Sequence, residues 1–262
     1  MEGQRLIASQ RQLRIMELLR RQGVVAITEL AQAFAVSAMT IRRDLDDLGR
    51  QGLLQRTHGG AVALAIGPVD DPIYTQRQQI RAAAKQAIAR TAASLIASHE
   101  LILLDSGSTV AAMAPLLTPL SDLTVISYSL PVIQELASAY GPRLISTGGS
   151  FDPAISAFVG PLAEQMLSEV RVDAVFLGAS SVSAVDGFSN SSLPNLALQR
   201  IALRAARNVY LLADSEKLTR PPFWLVADMG QVTALITDSA ITSGAQQALE
   251  QHGVQVVIAT ER

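Results

Sequence analysis

Apolar residues recur at helical intervals in the first quarter of the chain and as short runs through the rest. Over residues 36–62 (VSAMTIRRDLDDLGRQGLLQRTHGGAV), Ala38, Ile41, Leu45 and Leu48 fall on one helical face and predict a buried stripe. Met39, Thr40, Arg43, Asp47 and Arg50 share the opposite side, with Arg42 at its border. Ser37 is the expected N-cap, its hydroxyl placed to accept from the backbone N–H of Met39 or Thr40. Gly49 and Gly52 mark the helix end, and LLQRTHGGAV reads as two short strands about a Gly59-Gly60 turn, with Arg56 and His58 near its tip. Upstream, the period predicts a helix over 10–22 with Ile15, Leu18 and Leu19 buried, Ser9 and Gln12 at capping-box spacing, and Gly23 as its stop. Residues 24–27 offer a strand to pair with the wing, and Thr28 is expected to cap a short helix over 29–34.

Beyond residue 75 the rhythm changes. An alanine-rich helix is expected over 76–97, then apolar strands near 101–104, 124–126, 144–146, 174–177, 209–212, 234–237 and 254–258. Amphipathic helices stand between them, near 110–117 and 130–139, from Gly160-Pro161, after Pro194, and before the final strand. Strands alternating with helices predict an α/β fold, a mostly parallel doubly wound sheet whose ligands bind beyond the carboxyl ends of the strands. The stretch LAIGPVDDPIYT has the glycine, prolines and aspartates of a linker. The expected organisation is therefore a winged helix-turn-helix head over 1–62, a linker over 63–75, and a larger α/β body over 76–262.

Composition narrows the setting. No apolar run approaches the roughly 20 residues of a membrane span, and the first residues hold no apolar signal core. The chain has no cysteine, which excludes disulfides and thiolate metal sites. A cytoplasmic protein with neither cofactor nor metal, and no membrane partner, is expected. The net charge of −2 conceals an asymmetry. Residues 1–62 carry nine arginines, no lysine and six acids, against 12 basic and 17 acidic residues in the remainder. A small basic head on an acidic body suits a polyanion-binding module joined to something else, and a head so mildly basic calls for more than one copy.

Arg42 and Arg43 occupy the first turns of the central helix, the part of a recognition helix that reaches base edges in a major groove. Arginine there can donate two hydrogen bonds to guanine, while hydroxyls and neighbouring cations hold phosphate. The rival reading is an ordinary amphipathic helix whose Arg42–Asp46 and Arg43–Asp47 pairs add about 0.2–0.5 kcal/mol each. Both pairs run cation first, the less favourable order. The segments TIRRDL and LxRxHGGA together resemble the winged helix-turn-helix signature of the DeoR family of bacterial transcriptional regulators. The resemblance implies a sequence-specific DNA-binding regulator, mostly a repressor of sugar-catabolic operons, with double-stranded operator DNA as partner. The DNA-facing set expected on these grounds is Ser37, Met39, Thr40, Arg42, Arg43, Arg56, His58 and Gly59. It further implies a sugar-phosphate effector; symmetric half-sites need two heads, so a homo-oligomer, dimer or tetramer, is expected.

Candidate chemistry in the body lies in the strand-end loops LLDSGSTV, VISYSLP, ISTGGSF, FLGASS and LLADSEK. Ser106, Gly107, Ser108 and Thr109 precede a helix, where backbone N–H groups favour an anion. This half resembles the DeoR-family sensor, whose fold is shared with ribose-5-phosphate isomerase and CoA transferases. DSGST is similar to the phosphate loop of both, and Asp214-Ser215-Glu216-Lys217 to the family's Asp-x-x-Lys. The effector set so implied is Asp105, Ser106, Gly107, Ser108, Thr109, Tyr128, Gly148, Gly149, Gly178, Asn195, Gln199, Asp214 and Lys217. Three departures stand out: Tyr128-Ser129 replace paired asparagines, no arginine follows the Gly-Gly, and Asn195 and Gln199 replace a Glu…Lys pair. An isomerase-like enzyme with an accessory head is the main alternative, with Asp105, Asp214 and Lys217 as candidate acids and bases. Asn195 and Gln199 cannot titrate, and His58, His99 and His252 form no constellation, so a sensor is expected rather than an enzyme. An architectural or RNA-binding protein needs no such body, and the scarce aromatics form no stacking platform.

Overall fold

The computed structural model describes residues 24–50, 54–57, 59–63 and 74–260, together with most of 11–19. His58, Ser9, Gly23, Gly52 and most of the expected linker lie outside the described residues. The chain divides into two compact units, residues 1–71 and 72–262.

In the first unit, β1 (Val24–Ala26), β2 (Leu54–Arg56) and β3 (Gly60–Ala63) form an antiparallel sheet in the order β1-β3-β2. Helices Ile27–Ala33 and Ala38–Arg50 pack with helical residues of 11–19 around Ile15, Leu19, Ile27, Leu30, Ile41, Leu45, Leu48 and Leu54. Three local expectations change. Ala38 is exposed, so the stripe begins at Ile41. Thr28 caps nothing: β1 runs straight into the helix, whose Ile27 N–H donates to the Gly59 carbonyl at 2.9 Å. Gly49 lies inside the helix rather than ending it, with Arg56 packed over it. Gly60 is required by close approach, because a Cβ there would stand 1.9 Å from the Val25 carbonyl oxygen.

The second unit is built on a seven-stranded, wholly parallel sheet. Its strands are β4 (Leu101–Leu104), β5 (Thr124–Ser127), β6 (Arg143–Ser146), β9 (Val172–Gly178), β12 (Ala206–Leu212), β14 (Ala234–Asp238) and β15 (Gln255–Ala259). They run in the order β15-β14-β12-β9-β4-β5-β6. Ile102, Leu104, Phe176 and Ile236 fill one face while Leu103, Val175, Leu177 and Leu235 fill the other. Burial on both faces explains why these strands read as unbroken apolar runs. From β4 the chain winds toward β6, and from β9 toward β15, so the strand order reverses between β4 and β9. A crevice at their carboxyl ends follows from that reversal.

Departures from the expected elements cluster near the crevice. The helix expected over 76–97 is two, Tyr74–Gln79 and Ala82–Ala93, broken at Arg81, whose φ is 52°. The helix expected over 110–117 is two single turns, Ser108–Ala111 and Ala114–Leu117. Two strand groups were not expected. One is the hairpin of β7 (Ser150–Asp152) and β8 (Ala157–Val159). The other is the sheet of β10 (Ser181–Ser183), β11 (Gly187–Asn190) and β13 (Trp224–Ala227). These strands are three or four residues long, too short to show a period of two.

Candidate functional sites: a recognition helix and a polar cleft

The recognition helix begins as its sequence dictates. Ser37 Oγ accepts from the Thr40 N–H at 3.1 Å and shares a 2.9 Å hydrogen bond with the Thr40 hydroxyl. Met39, Arg42 and Arg43 are exposed, and Thr40 is half-buried beside them. Arg56 behaves differently from a freely projecting phosphate anchor. Its Nε donates to Asp46 Oδ1 at 2.7 Å and its Nη1 donates to the Gly60 carbonyl, so it fastens the wing to the helix. Asp46, which spacing offers to Arg42, is thus occupied from the wing.

Asp44, unlike its exposed neighbours Arg42 and Arg43, is buried. Arg11 grips it with two parallel bonds, Nε to Oδ2 at 2.5 Å and Nη2 to Oδ1 at 3.0 Å. The hydrogen bond donated to Asp44 raises the Arg11 guanidinium above its ordinary value despite burial. The pair ties the first helix to the recognition helix.

In the body, a cleft opens where the strand order reverses. Ser106, Gly107, Ser108 and Thr109 line it from the end of β4, and Gly178, Ala179 and Ser180 from the end of β9. Asn195, Asp214 and Lys217 complete the part of the lining expected from sequence. Gly107 sits at φ 143°, a conformation that favours glycine, though a Cβ there would touch nothing within 4 Å. The helix after this loop is only Ser108–Ala111, so its dipole is slight. Side chains supply the positive field instead.

Those side chains are Arg77, Lys85, Lys217 and Arg220. Three of the four escaped notice in the sequence, yet a signal was present. The chain has only two lysines, and both line this cleft. Lys85 also occupies the otherwise apolar stripe Lys85, Ile88, Ala89 and Ala92, all buried. Its Nζ donates to the carbonyls of Arg77 and Ile80, the latter at 2.6 Å, bridging the helix break. Burial lowers its pKa to about 8, with Asp214 pulling the other way. The two carboxylates of the lining, Asp214 and Glu216, lie beside Arg81, each 3.7 Å from its Nη1. Arg81 also holds Ser215 Oγ at 3.0 Å and Asp238 at 2.9 Å.

Asp105, Tyr128 and Gln199 stand behind the cleft wall as a fully buried network. The Tyr128 hydroxyl donates to Asp105 Oδ1 at 2.5 Å. The Gly178 N–H and Gln199 Nε2 donate to Oδ2 at 2.8 and 2.6 Å. Gln199 Nε2 also donates to the Gly178 carbonyl, and its Oε1 accepts from Asn190 Nδ2 at 3.0 Å. Burial pushes the Asp105 carboxyl above the usual range, although the donors Tyr128, Gly178, Gln199 and Asn195 oppose it. Burial, then the Asp105 charge, raises Tyr128 well above its ordinary value. Gly148 and Gly149 are not in the cleft lining. At φ 66° and 115° they turn the chain from β6 into β7, Gly149 pressed against the Val159 carbonyl.

Comparison with known proteins places both units. The DeoR-like helix-turn-helix domain matches residues 11–66, and the DeoR C terminal sensor domain matches residues 80–239. The transcriptional repressor AccR of Agrobacterium fabrum is 36% identical over 230 residues, 87% of this chain and 89% of its own. The L-fucose operon activator of Haemophilus influenzae is 32% identical over 93% of this chain and 97% of its own. The glycerol-3-phosphate regulon repressor of Escherichia coli is 30% identical over 95% and 98%. Among solved structures, ribose 5-phosphate isomerase A from Methanocaldococcus jannaschii aligns with a TM-score of 0.39 and 21% identity, covering 51% of this chain and 53% of that one. No helix among the described residues is long and apolar enough to cross a membrane.

Proposed function

The chain belongs to the DeoR family of DNA-binding transcriptional regulators, and from that premise we propose that it represses a sugar-catabolic operon and is released by a small phosphorylated metabolite. The observation that carries the effector reading is the convergence of both lysines, Arg77 and Arg220 with the hydroxyl-rich loop 106–109 at the strand-order reversal. Four cations around a small cleft outnumber its two carboxylates, which lie beside Arg81 with Glu216 also 4.0 Å from Arg220, and so suit one anionic group. The reading is of a sensor rather than an isomerase: Asn195 and Gln199 do not titrate, Asp105 is buried behind the wall, and Asp214 lies beside Arg81, which leaves Lys217 to the anion.

Control follows from linkage. The chain acts as a homo-oligomer whose paired heads match two half-sites. An effector that prefers another subunit arrangement weakens operator binding, and operator weakens effector binding by the same factor. The test begins with the genomic DNA that the protein retains, followed by release assays with sugar phosphates and their unphosphorylated sugars. Arg43→Ala is expected to cost about 1–3 kcal/mol of operator binding and relax preference at one position. Equal release by a sugar and its phosphate, or undiminished binding by the Arg43 variant, defeats the corresponding half of the proposal.

A further inference from the structure

The buried amides at the closed end of the cleft differ in how completely they are engaged. Gln199 is satisfied on both sides: its nitrogen faces two acceptors, Asp105 and the Gly178 carbonyl, and its oxygen faces the Asn190 donor. That pattern fixes which way its amide points. Asn195 is also buried, at 4% exposure, and its amide lies on the Asp105 side, where it helps hold that charge. Its nitrogen therefore faces the carboxylate, and its oxygen is turned away from it. Asn195 Oδ1 has no hydrogen-bond partner among the described residues, and Asn195 lines the cleft. A buried acceptor left unpaired costs about 1–3 kcal/mol, so the site gains from a ligand that donates there.

We propose that Asn195 is a specificity-determining residue, whose Oδ1 accepts a hydrogen bond from a hydroxyl on the effector's uncharged end. The inference rests on the reading that the cations of the same cleft hold the effector's phosphate. It adds the class of the remainder. The Asp105 carboxylate behind Asn195 has only neutral partners and no ion pair among the described residues, so a second anion at this end meets a like charge. Gln199 and Asn190 are neutral and mutually bonded, so they supply no countercharge. The effector class is therefore a monophosphorylated sugar or polyol with a free hydroxyl, not a sugar-acid phosphate or a bisphosphate. A deoxy compound leaves Oδ1 unpaired, and a carboxylate brings an acceptor to an acceptor.

The experiment uses the full chain on its operator. Release is titrated with ribose 5-phosphate against 2-deoxyribose 5-phosphate, glucose 6-phosphate against 2-deoxyglucose 6-phosphate and 6-phosphogluconate, and fructose 6-phosphate against fructose 1,6-bisphosphate. Inorganic phosphate binding is followed by thermal shift. The parent is expected to favour a hydroxylated monophosphate over its deoxy or acidic counterpart by about 10- to 100-fold. Asn195→Leu should bring the counterparts within about threefold of each other while leaving inorganic phosphate binding and operator affinity unchanged. Asn195→Ser, a smaller change that keeps a polar atom, should give an intermediate preference and guards against a folding defect in the leucine variant. Preference retained in Asn195→Leu overturns the assignment of Asn195, as does a parent that makes no distinction. Failure of every phosphate, inorganic phosphate included, to bind the parent overturns the anion reading beneath it, and the Asn195 assignment falls with it.

Discussion

Asp44 in the recognition helix and Asp105 at the end of β4 are both almost fully buried, at 3% and 0% exposure, yet their surroundings are opposite. Asp44 meets a guanidinium through two parallel bonds, a charge fully answered in a fixed geometry. Asp105 meets a phenol, a backbone N–H and an amide, all neutral, and its carboxyl is pushed above the usual range. The first arrangement makes a rigid joint between two helices that must present arginines at a set angle. The second leaves an incompletely answered charge one layer behind a cleft, where a ligand's hydrogen bonds can still matter.

The sharpest way to break this contrast is Asp44→Ala. Removing one partner of a buried bidentate pair typically costs about 3–5 kcal/mol, because the remaining charge keeps its desolvation penalty. The head should melt early in the full chain and operator binding should vanish. Effector binding, followed by thermal shift of the body, should persist. Replacing Arg11 and Asp44 together by Met and Leu should recover much of the loss. A double variant as unstable as Asp44→Ala would mean that the joint works by more than charge compensation.

Asp105→Asn should do less, about 1–3 kcal/mol, since only one acceptor oxygen is lost among neutral donors. Its pH dependence carries the distinction. A carboxyl whose folded pKa is raised contributes stability that is fully present below its unfolded value and is lost as pH rises through the folded one. The stability of the parent relative to the asparagine variant should therefore decline as pH rises from the ordinary carboxylate value of about 4. Urea unfolding at a series of pH values measures it, and a difference that grows with pH would show that the donors outweigh burial.

The head was largely legible in the sequence because its function sits on one continuous stretch. Ile41, Leu45 and Leu48 gave the buried face, and Arg42 and Arg43 are exposed beside it. What escaped was tertiary: Asp44 pairs with a residue 33 positions away, and Arg56 with one 10 positions away. The body's parallel strands were legible for the same reason of burial on both faces, down to the boundaries of β4. The cleft was only half legible. Its loops announce themselves by glycine and hydroxyls, but Arg77 sits on a short polar helix that looks like ordinary surface, and Lys85 shows itself only as a cation in an apolar stripe. Only the break at Arg81, which no proline or glycine marks, swings that segment onto the strand ends.

Lys85 supplies the smallest effect and the finest test of the cleft. It is buried with its Nζ on two carbonyls, and it loses its proton near pH 8 where a free lysine holds it to 10.5. A phosphate in the cleft favours the charged ammonium, and above pH 7 the phosphate itself no longer titrates, its second pKa being about 6. Operator release should then require more effector as pH rises from 7 to 9, by less than about tenfold per unit for one linked proton. Stability must move the opposite way. Between about 8 and 10.5 the unfolded lysine holds a proton that the folded one has lost, so the unliganded body grows more stable with pH. Weaker response alongside a firmer fold cannot come from partial unfolding. Lys85→Met should flatten both trends and weaken release at pH 7. Release that stays constant from pH 7 to 9 in the parent would remove Lys85 from the anion's surroundings and leave that task to Lys217, Arg77 and Arg220.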